Sequence, residues 1–270
     1  MNFISKIVVT VVTINALGLA IVSYKVLGKD LKNKAKHLIT ESSKNAEQTN
    51  KTVSLATIKD SPMEDENSNL KTFLRGIDVS HWNGNIVEDL QKKDGLQFVI
   101  CKSTQGERDI DPDFTKNWKY LSEKNIMKGT YHFYVYSQDP IKQAVHFCST
   151  VDNAGMIKDT DFPLIIDIEE MSLPRKPIDA ERLKKDLLTF LNYVEDKTNQ
   201  APIIYSDFSF LNRYLNDSAF SKYPLWLAEY SHSPKPKIPE TWKGKGCMIW
   251  QKTDNYHVNS DDTDFDIYYK

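Results

Sequence analysis

PLIIDIEE, residues 163–170, sets Asp167 and Glu169 two positions apart in a run that is otherwise as apolar as the middle of a buried sheet. On a strand, side chains alternate faces, so both acids share a face with Ile165, while Leu164, Ile166 and Ile168 take the other. Two residues of rise place the two backbones about 6.5–7 Å apart, close enough for the carboxyls to influence each other. Like charge and burial both favour protonation of one partner, so such a pair can hold a proton that an isolated carboxyl would lose. The pattern suits general-acid work at a sugar linkage, with one acid protonating the leaving oxygen and the other stabilising positive charge on the ring. A salt-bridged or metal-bound acid pair is the competing reading.

Outward from this stretch, short apolar runs alternate with amphipathic ones. FLRGIDVS (Phe73–Ser80), LQFVICK (Leu96–Lys102), MKGTYHFYVY (Met127–Tyr136), FPLIIDIE (Phe162–Glu169) and APIIYS (Ala201–Ser206) read as strands. Between them, IVEDLQKKDG (Ile86–Gly95), DFTKNWKYLSEKN (Asp113–Asn125), DPIKQAVHFCSTV (Asp139–Val151, Pro140 in its first turn) and DAERLKKDLLTFLNYVEDKT (Asp179–Thr198) read as helices. The last is the clearest, with Leu183, Leu187, Leu188, Leu191 and Val194 along one stripe. Three further strand-like runs, YPLWLAEY (Tyr223–Tyr230), GCMIWQ (Gly246–Gln251) and DFDIYY (Asp264–Tyr269), follow with few helices between them. Eight strands, the first five alternating with helices, predict an α/β fold: an irregular TIM-like barrel of eight strands with fewer than eight helices. In such barrels chemistry gathers where strands end, which singles out Asp78, Asp167, Glu169 and Asp266.

The 270 residues, 40% hydrophobic and 11% aromatic, suffice for one sizeable domain. Net charge is −2, so no basic footprint for nucleic acid exists, and no nucleic-acid motif is present. Ile7–Tyr24, IVVTVVTINALGLAIVSY, runs 18 residues without a charge between Lys6 and Lys25. That length reads as an N-terminal transmembrane signal anchor over 1–25, with a cleaved secretory signal as the competing reading. Lys25, Lys29, Lys32, Lys34 and Lys36 follow the span and only Lys6 precedes it, so charge alone does not fix its orientation. Residues 26–72, rich in Lys, Asn, Ser, Thr and Glu, read as a flexible linker with a root-mean-square reach of roughly 35–40 Å. The domain over 73–270 is thereby expected on a membrane-anchored chain, in the periplasm or cell envelope. Cys101, Cys148 and Cys247 match no zinc spacing or C-x-x-C motif; buried thiols are expected, with one bridge plus a spare as the alternative for an exported domain. His81 and His132 stand in no H-x-x-x-H pair and near no nucleophile elbow, so scaffold roles are expected, with no metal and no cofactor.

A series of segments then coincides in order and spacing. GIDVSHWNG (Gly76–Gly84), FVICKSTQG (Phe98–Gly106), DPDFTKNW (Asp111–Trp118), GTYHFY (Gly129–Tyr134), QAVHF (Gln143–Phe147), PLIIDIE (Pro163–Glu169), PIIYS (Pro202–Ser206), PLWLAEY (Pro224–Tyr230), IWQ (Ile249–Gln251) and FDIYY (Phe265–Tyr269) resemble, in sequence order, those of glycoside hydrolase family 25. The resemblance covers roughly residues 75–270. It implies that family's irregular eight-stranded barrel and its activity, N-acetylmuramidase cleavage of the β-1,4 bond between N-acetylmuramic acid and N-acetylglucosamine in peptidoglycan. It also implies that Glu169 is the general acid, that Asp167 orients and stabilises the substrate's own N-acetyl group, and that Asp78 and Asp266 are further site carboxylates. The chain departs from the family at Gln105, where Glu is usual, and at Tyr268, where Asn is usual. A longer D-x-x-D-x-D-x-E run of the chitinase type is absent.

Aromatic faces cover the C–H faces of pyranose rings, so Tyr131, Phe133, Tyr205, Trp226 and Tyr230, with Gln251 and Lys102, are the expected substrate-binding set. For Lys102 the alternative is a core lysine paired with the acids. The expected partner is a peptidoglycan glycan strand, met by a monomer; a catalytically silent wall-binding module on the same fold is the rival function.

Overall fold

The computed structural model describes residues 73–155, 162–258 and 261–270. The anchor expected over 1–25 and the linker expected over 26–72 lie outside the described residues. Among the described residues no helix is long and apolar enough to cross a membrane.

The strands are β1 (Phe73–Val79), β2 (Phe98–Gln105), β3 (Asp109–Ile110), β4 (Met127–Phe133), β5 (Ile165–Asp167), β6 (Ile203–Asp207), β7 (Leu225–Ala228), β8 (Ile249–Val258) and β9 (Asp261–Tyr269). Their order is β1-β9-β8-β7-β6-β5-β4-β2-β3, and an added β1–β2 pairing closes the sheet into a barrel of eight strands, with the two-residue β3 hung on its wall. Six neighbouring pairs are parallel, from β1–β2 through β2–β4, β4–β5, β5–β6 and β6–β7 to β7–β8. Strand β9 runs antiparallel to both β8 and β1. Seven strands thus deliver their C-terminal ends to one mouth, and β9 delivers its N-terminal half there.

Among the described residues four α-helices cover part of the outside: α1 (Phe114–Glu123), α2 (Pro140–Asn153), α3 (Ala180–Thr198) and α4 (Phe208–Tyr214). Local chemistry starts them. Asp139 accepts the N–H of Lys142 ahead of Pro140, Asp179 accepts those of Glu181 and Arg182, and Asp207 those of Ser209 and Phe210. Helix α3 ends where Asn199 turns left-handed at φ +57°. Its buried stripe is Leu183, Leu187, Phe190, Leu191 and Val194; Leu188 lies at the stripe's edge, packed against the core.

Period-two alternation sorts the apolar residues into two clusters. Leu74, Phe98, Ile100, Ile165, Ile203, Tyr205, Trp226 and Ile249 fill the barrel, whereas Ile77, Val79, Val99, Leu164, Ile166, Ile168, Ile204 and Leu227 face the helices. Gly76 belongs to the inner face, where the Phe98 ring lies against its Cα so closely that a Cβ would overlap it. A side chain there would overpack the core at a cost of about 1–3 kcal/mol.

Three features differ from the sequence reading. Ile86–Gly95 buries Ile86, Val87 and Leu90 but forms turns and a single 3-10 turn at Lys92–Asp94 instead of a helix. The Asp94 carboxylate accepts the Gln91 N–H and Gly95 goes left-handed at φ +66°, so the chain turns away before a helix can propagate. Short α4 follows β6 with only seven residues to show a period. Strand β8 runs on through Lys252–Val258, paired antiparallel with the start of β9 at Asp261–Asp264, in stretches with too few apolar residues to alternate visibly; Val258 and Tyr256 there reach the outer core. No two cysteines are bridged, and Cys101 and Cys148 are buried.

Candidate active site at the barrel mouth

Strand β5 ends at Asp167, and the backbone stays extended through Glu169 (φ −145°, ψ −179°) before turning at Glu170–Ser172. The turn is locked by the Ser172 hydroxyl, which accepts the Glu169 N–H at 3.1 Å, and by the Ser172 N–H, which donates to the Glu169 carbonyl at 2.9 Å. Ile165 lies in the inner cluster and Leu164, Ile166 and Ile168 in the outer one, so the alternation read from PLIIDIEE holds. Asp167 is buried at 7% exposure, and Glu169 is half-buried at the rim. The deeper acid and the shallower one have different access to a ligand.

Asp78, near the end of β1, faces the same interior. Antiparallel pairing sets Asp264 opposite Asp78 and Asp266 opposite Gly76, one layer deeper. Asp266 has no exposed surface. Burial, and then the charges of Asp78 and Asp264, push its carboxyl well above the usual range; the Trp226 indole N–H, donated to its Oδ1 at 2.8 Å, only partly opposes this. This shift favours the protonated acid, the form that can donate a hydrogen bond to Asp78.

Gln251 ties the wall together. Its Nε2 donates to Asp78 Oδ2 at 2.7 Å and to Asp264 Oδ2 at 3.2 Å, and its Oε1 accepts the hydroxyls of Tyr205 at 2.8 Å and Tyr230 at 2.5 Å. All four hydrogen-bonding positions of the amide are used. Burial raises the Tyr205 phenol well above its ordinary value, with Tyr230, Glu169, Asp167 and Asp78 adding to the shift, so Tyr205 stays a donor.

The residues expected from sequence at the site come together at this end of the barrel, but at two depths. Lys102, Tyr131 and Phe133 are half-buried and Tyr230 is 52% exposed, so these reach the mouth. Trp226 and Gln251, each 1% exposed with their polar atoms engaged, lie beneath the floor, as does Asp266. With these bonds they brace the wall of the site from within. Tyr205 packs edge-on against Trp226 at 4.5 Å, and Tyr131 does so at 6.4 Å. Lys102 donates to Gln105 Oε1 at 2.7 Å, with its ammonium 4.9 Å from the Phe133 ring centre. Sequence reasoning missed Asp264; its signal, period-two spacing from Asp266, was masked by the acidic run DDTDFD.

Both noted histidines have structural partners. His132 lies on the outer face between Phe147 and Phe190 with Nδ1 2.8 Å from Thr104 Oγ1, and burial lowers its pKa to about 3. His81 pairs with Asp111 at 2.7 Å.

A β/α barrel that gathers five carboxyl groups and a set of aromatic rings at its strand ends is built as a glycoside hydrolase is built. Residues 77–261 match the family model for glycosyl hydrolases family 25, and the chain belongs to that family. It is 33% identical over 204 residues to "Uncharacterized protein YegX" of Escherichia coli K12, covering 72% of this chain and 69% of that one. Over 186 residues it is 27% identical to the "Autolytic lysozyme" of Clostridium acetobutylicum, covering 69% of this chain and 52% of the relative. Among solved structures it is similar to the bacterial lysozyme from Streptomyces coelicolor (TM-score 0.62, 25% identity, 72% of this chain and 91% of that chain). It is also similar to a family GH25 lysozyme from Aspergillus fumigatus (TM-score 0.61, 29% identity, 74% and 95%). The chain is a glycoside hydrolase.

Protonated Asp266 has a measurable consequence. Because its folded pKa is raised, its contribution to stability is fully present below the unfolded value of about 3.9 and is lost as pH rises toward the folded value, by about 1.4 kcal/mol per pH unit. Asp266→Asn keeps an acceptor for Trp226 and a donor for Asp78 without needing a proton. Urea denaturation of both proteins from pH 4.5 to 7.5 should show wild type losing stability relative to Asp266→Asn as pH rises; parallel profiles would show that Asp266 is ionised.

Proposed function

We propose that the protein is an N-acetylmuramidase that hydrolyses the β-1,4 bond between N-acetylmuramic acid and N-acetylglucosamine in peptidoglycan. The observation that carries this reading is the depth difference within one extended segment: Glu169 at the rim and Asp167 beneath it, on the inner face of the same strand end. Glu169 delivers its proton to the glycosidic oxygen as the C–O bond breaks. The substrate's acetamido oxygen closes on the anomeric carbon, and Asp167 holds that amide and balances the charge it acquires. The carboxylate left on Glu169 then takes a proton from the water that opens the cyclic intermediate. Asp78, held by Gln251 and by the Asp266 hydroxyl, fixes the wall facing the pair. The names of the lysozymes to which the chain is similar support the substrate class.

We infer further that residues 1–25 attach the chain to a membrane and that 26–72 let the domain search nearby wall; the uncharged 18-residue run supports this. Protease added to intact spheroplasts should shave the domain and leave a membrane-retained stub, and full protection of the chain would contradict export.

For the chemistry, the soluble 73–270 fragment should release muropeptides from purified peptidoglycan. Glu169→Gln should lower kcat by about 10²–10⁴-fold, the usual share of a general acid. Asp167→Asn should also lower kcat, while both variants retain wild-type unfolding curves. Wall binding without product from wild type would overturn the reading.

A further inference from the structure

Trp82 is the most exposed large hydrophobic side chain among the described residues, at 74%. Single exposed apolar residues are ordinary. This one differs in where it stands and how firmly it is held. It lies four residues beyond Asp78, in the turn that leaves β1 at the mouth. The turn is braced on every side. Asn83 Oδ1 accepts the Ser80 N–H at 2.8 Å, and Asn83 Nδ2 donates to the Asp262 carbonyl at 3.1 Å. Buried Asp111 accepts both the backbone N–H of His81 at 3.1 Å and its ring Nδ1–H at 2.7 Å, and also the Asp113 N–H at 3.0 Å. The Thr263 hydroxyl donates to the Asp78 carbonyl at 2.8 Å, just upstream. The His81 ring sits 4.3 Å from the indole, tilted by 39°, and flanks one side of it. A large apolar ring on a fixed turn, open on its remaining surface, is pre-organised to receive a flat apolar partner.

We propose that Trp82 is a sugar-binding platform for the glycan strand, at a subsite remote from the bond that is cut. This rests on the muramidase reading and assigns that site a further contact. Around the barrel, β1 stands three strand positions from β5, by way of β2 and β4. Three spacings amount to about 14 Å of wall between the turn bearing Trp82 and the strand end bearing Glu169. A sugar on the indole is therefore not the sugar that Glu169 protonates, and only a strand several units long engages both. The C–H face of a pyranose ring is the ligand chemistry that an exposed indole face binds.

The test uses glycan strands of alternating N-acetylmuramic acid and N-acetylglucosamine in two lengths, a disaccharide, too short to reach both the turn and the strand end, and an octasaccharide. Calorimetric titration of Glu169→Gln and of Glu169→Gln/Trp82→Ala reads binding without turnover. Loss of the platform should weaken octasaccharide binding about tenfold more than disaccharide binding, equivalent to about 1.4 kcal/mol. Trp82→Phe in the same background should recover most of it. Equal losses on the two lengths, or no loss on either, would overturn the platform even if wild type cleaves peptidoglycan. Conversely, a length-dependent loss in an enzyme that releases no muropeptide would support the platform and overturn the acid role of Glu169.

Discussion

Strand alternation at one position governs this molecule. Because Ile165 points into the barrel, Asp167 and Glu169 must follow it, and Leu164, Ile166 and Ile168 must pack outward against the helices. A one-residue slip of β5 would bury both acids among leucines and phenylalanines and turn three apolar side chains into the mouth. The register Ile165–Ile203 and Asp167–Tyr205 on one side, and Tyr131–Ile165 and Phe133–Asp167 on the other, fixes the strand between two neighbours. Packing of the core and placement of the acids are thus one constraint.

A cluster of five carboxyl groups would repel itself if all were ionised. The structure relieves this from below. Burial beside Asp78 and Asp264 favours the protonated form of Asp266, while Gln251 spends two donors on Asp78 and Asp264 and two acceptor positions on tyrosine hydroxyls. None of these supports needs to meet substrate. They hold the wall opposite Asp167 and Glu169 in one arrangement, which is what an electrostatically pre-organised site requires.

The sequence made the barrel legible wherever apolar periodicity was strong, as in β5 and α3, or wherever a cap marked a helix start, as at Asp139 and Asp179. It failed where backbone pairing works without an apolar pattern, as in the β8–β9 hairpin, and where three buried apolar residues, Ile86, Val87 and Leu90, mimic a helix that side-chain-to-backbone bonds interrupt. Asp78, Asp167, Glu169 and Asp266 were legible because buried carboxyls are rare, whereas Asp264 was hidden in the acidic run DDTDFD. Depth was not: residue type and strand parity put Trp226, Gln251 and Asp266 on the inner face, but only the filled barrel shows that they are fully buried.

The most direct measurement is a crystal structure of the Glu169→Gln protein with a bound peptidoglycan tetrasaccharide. The account predicts the scissile oxygen within about 3 Å of the side chain at position 169 and the acetamido group of the adjoining sugar against Asp167. A strand seated with its glycosidic oxygen out of reach of position 169, or with its acetamido group turned away from Asp167, would contradict it.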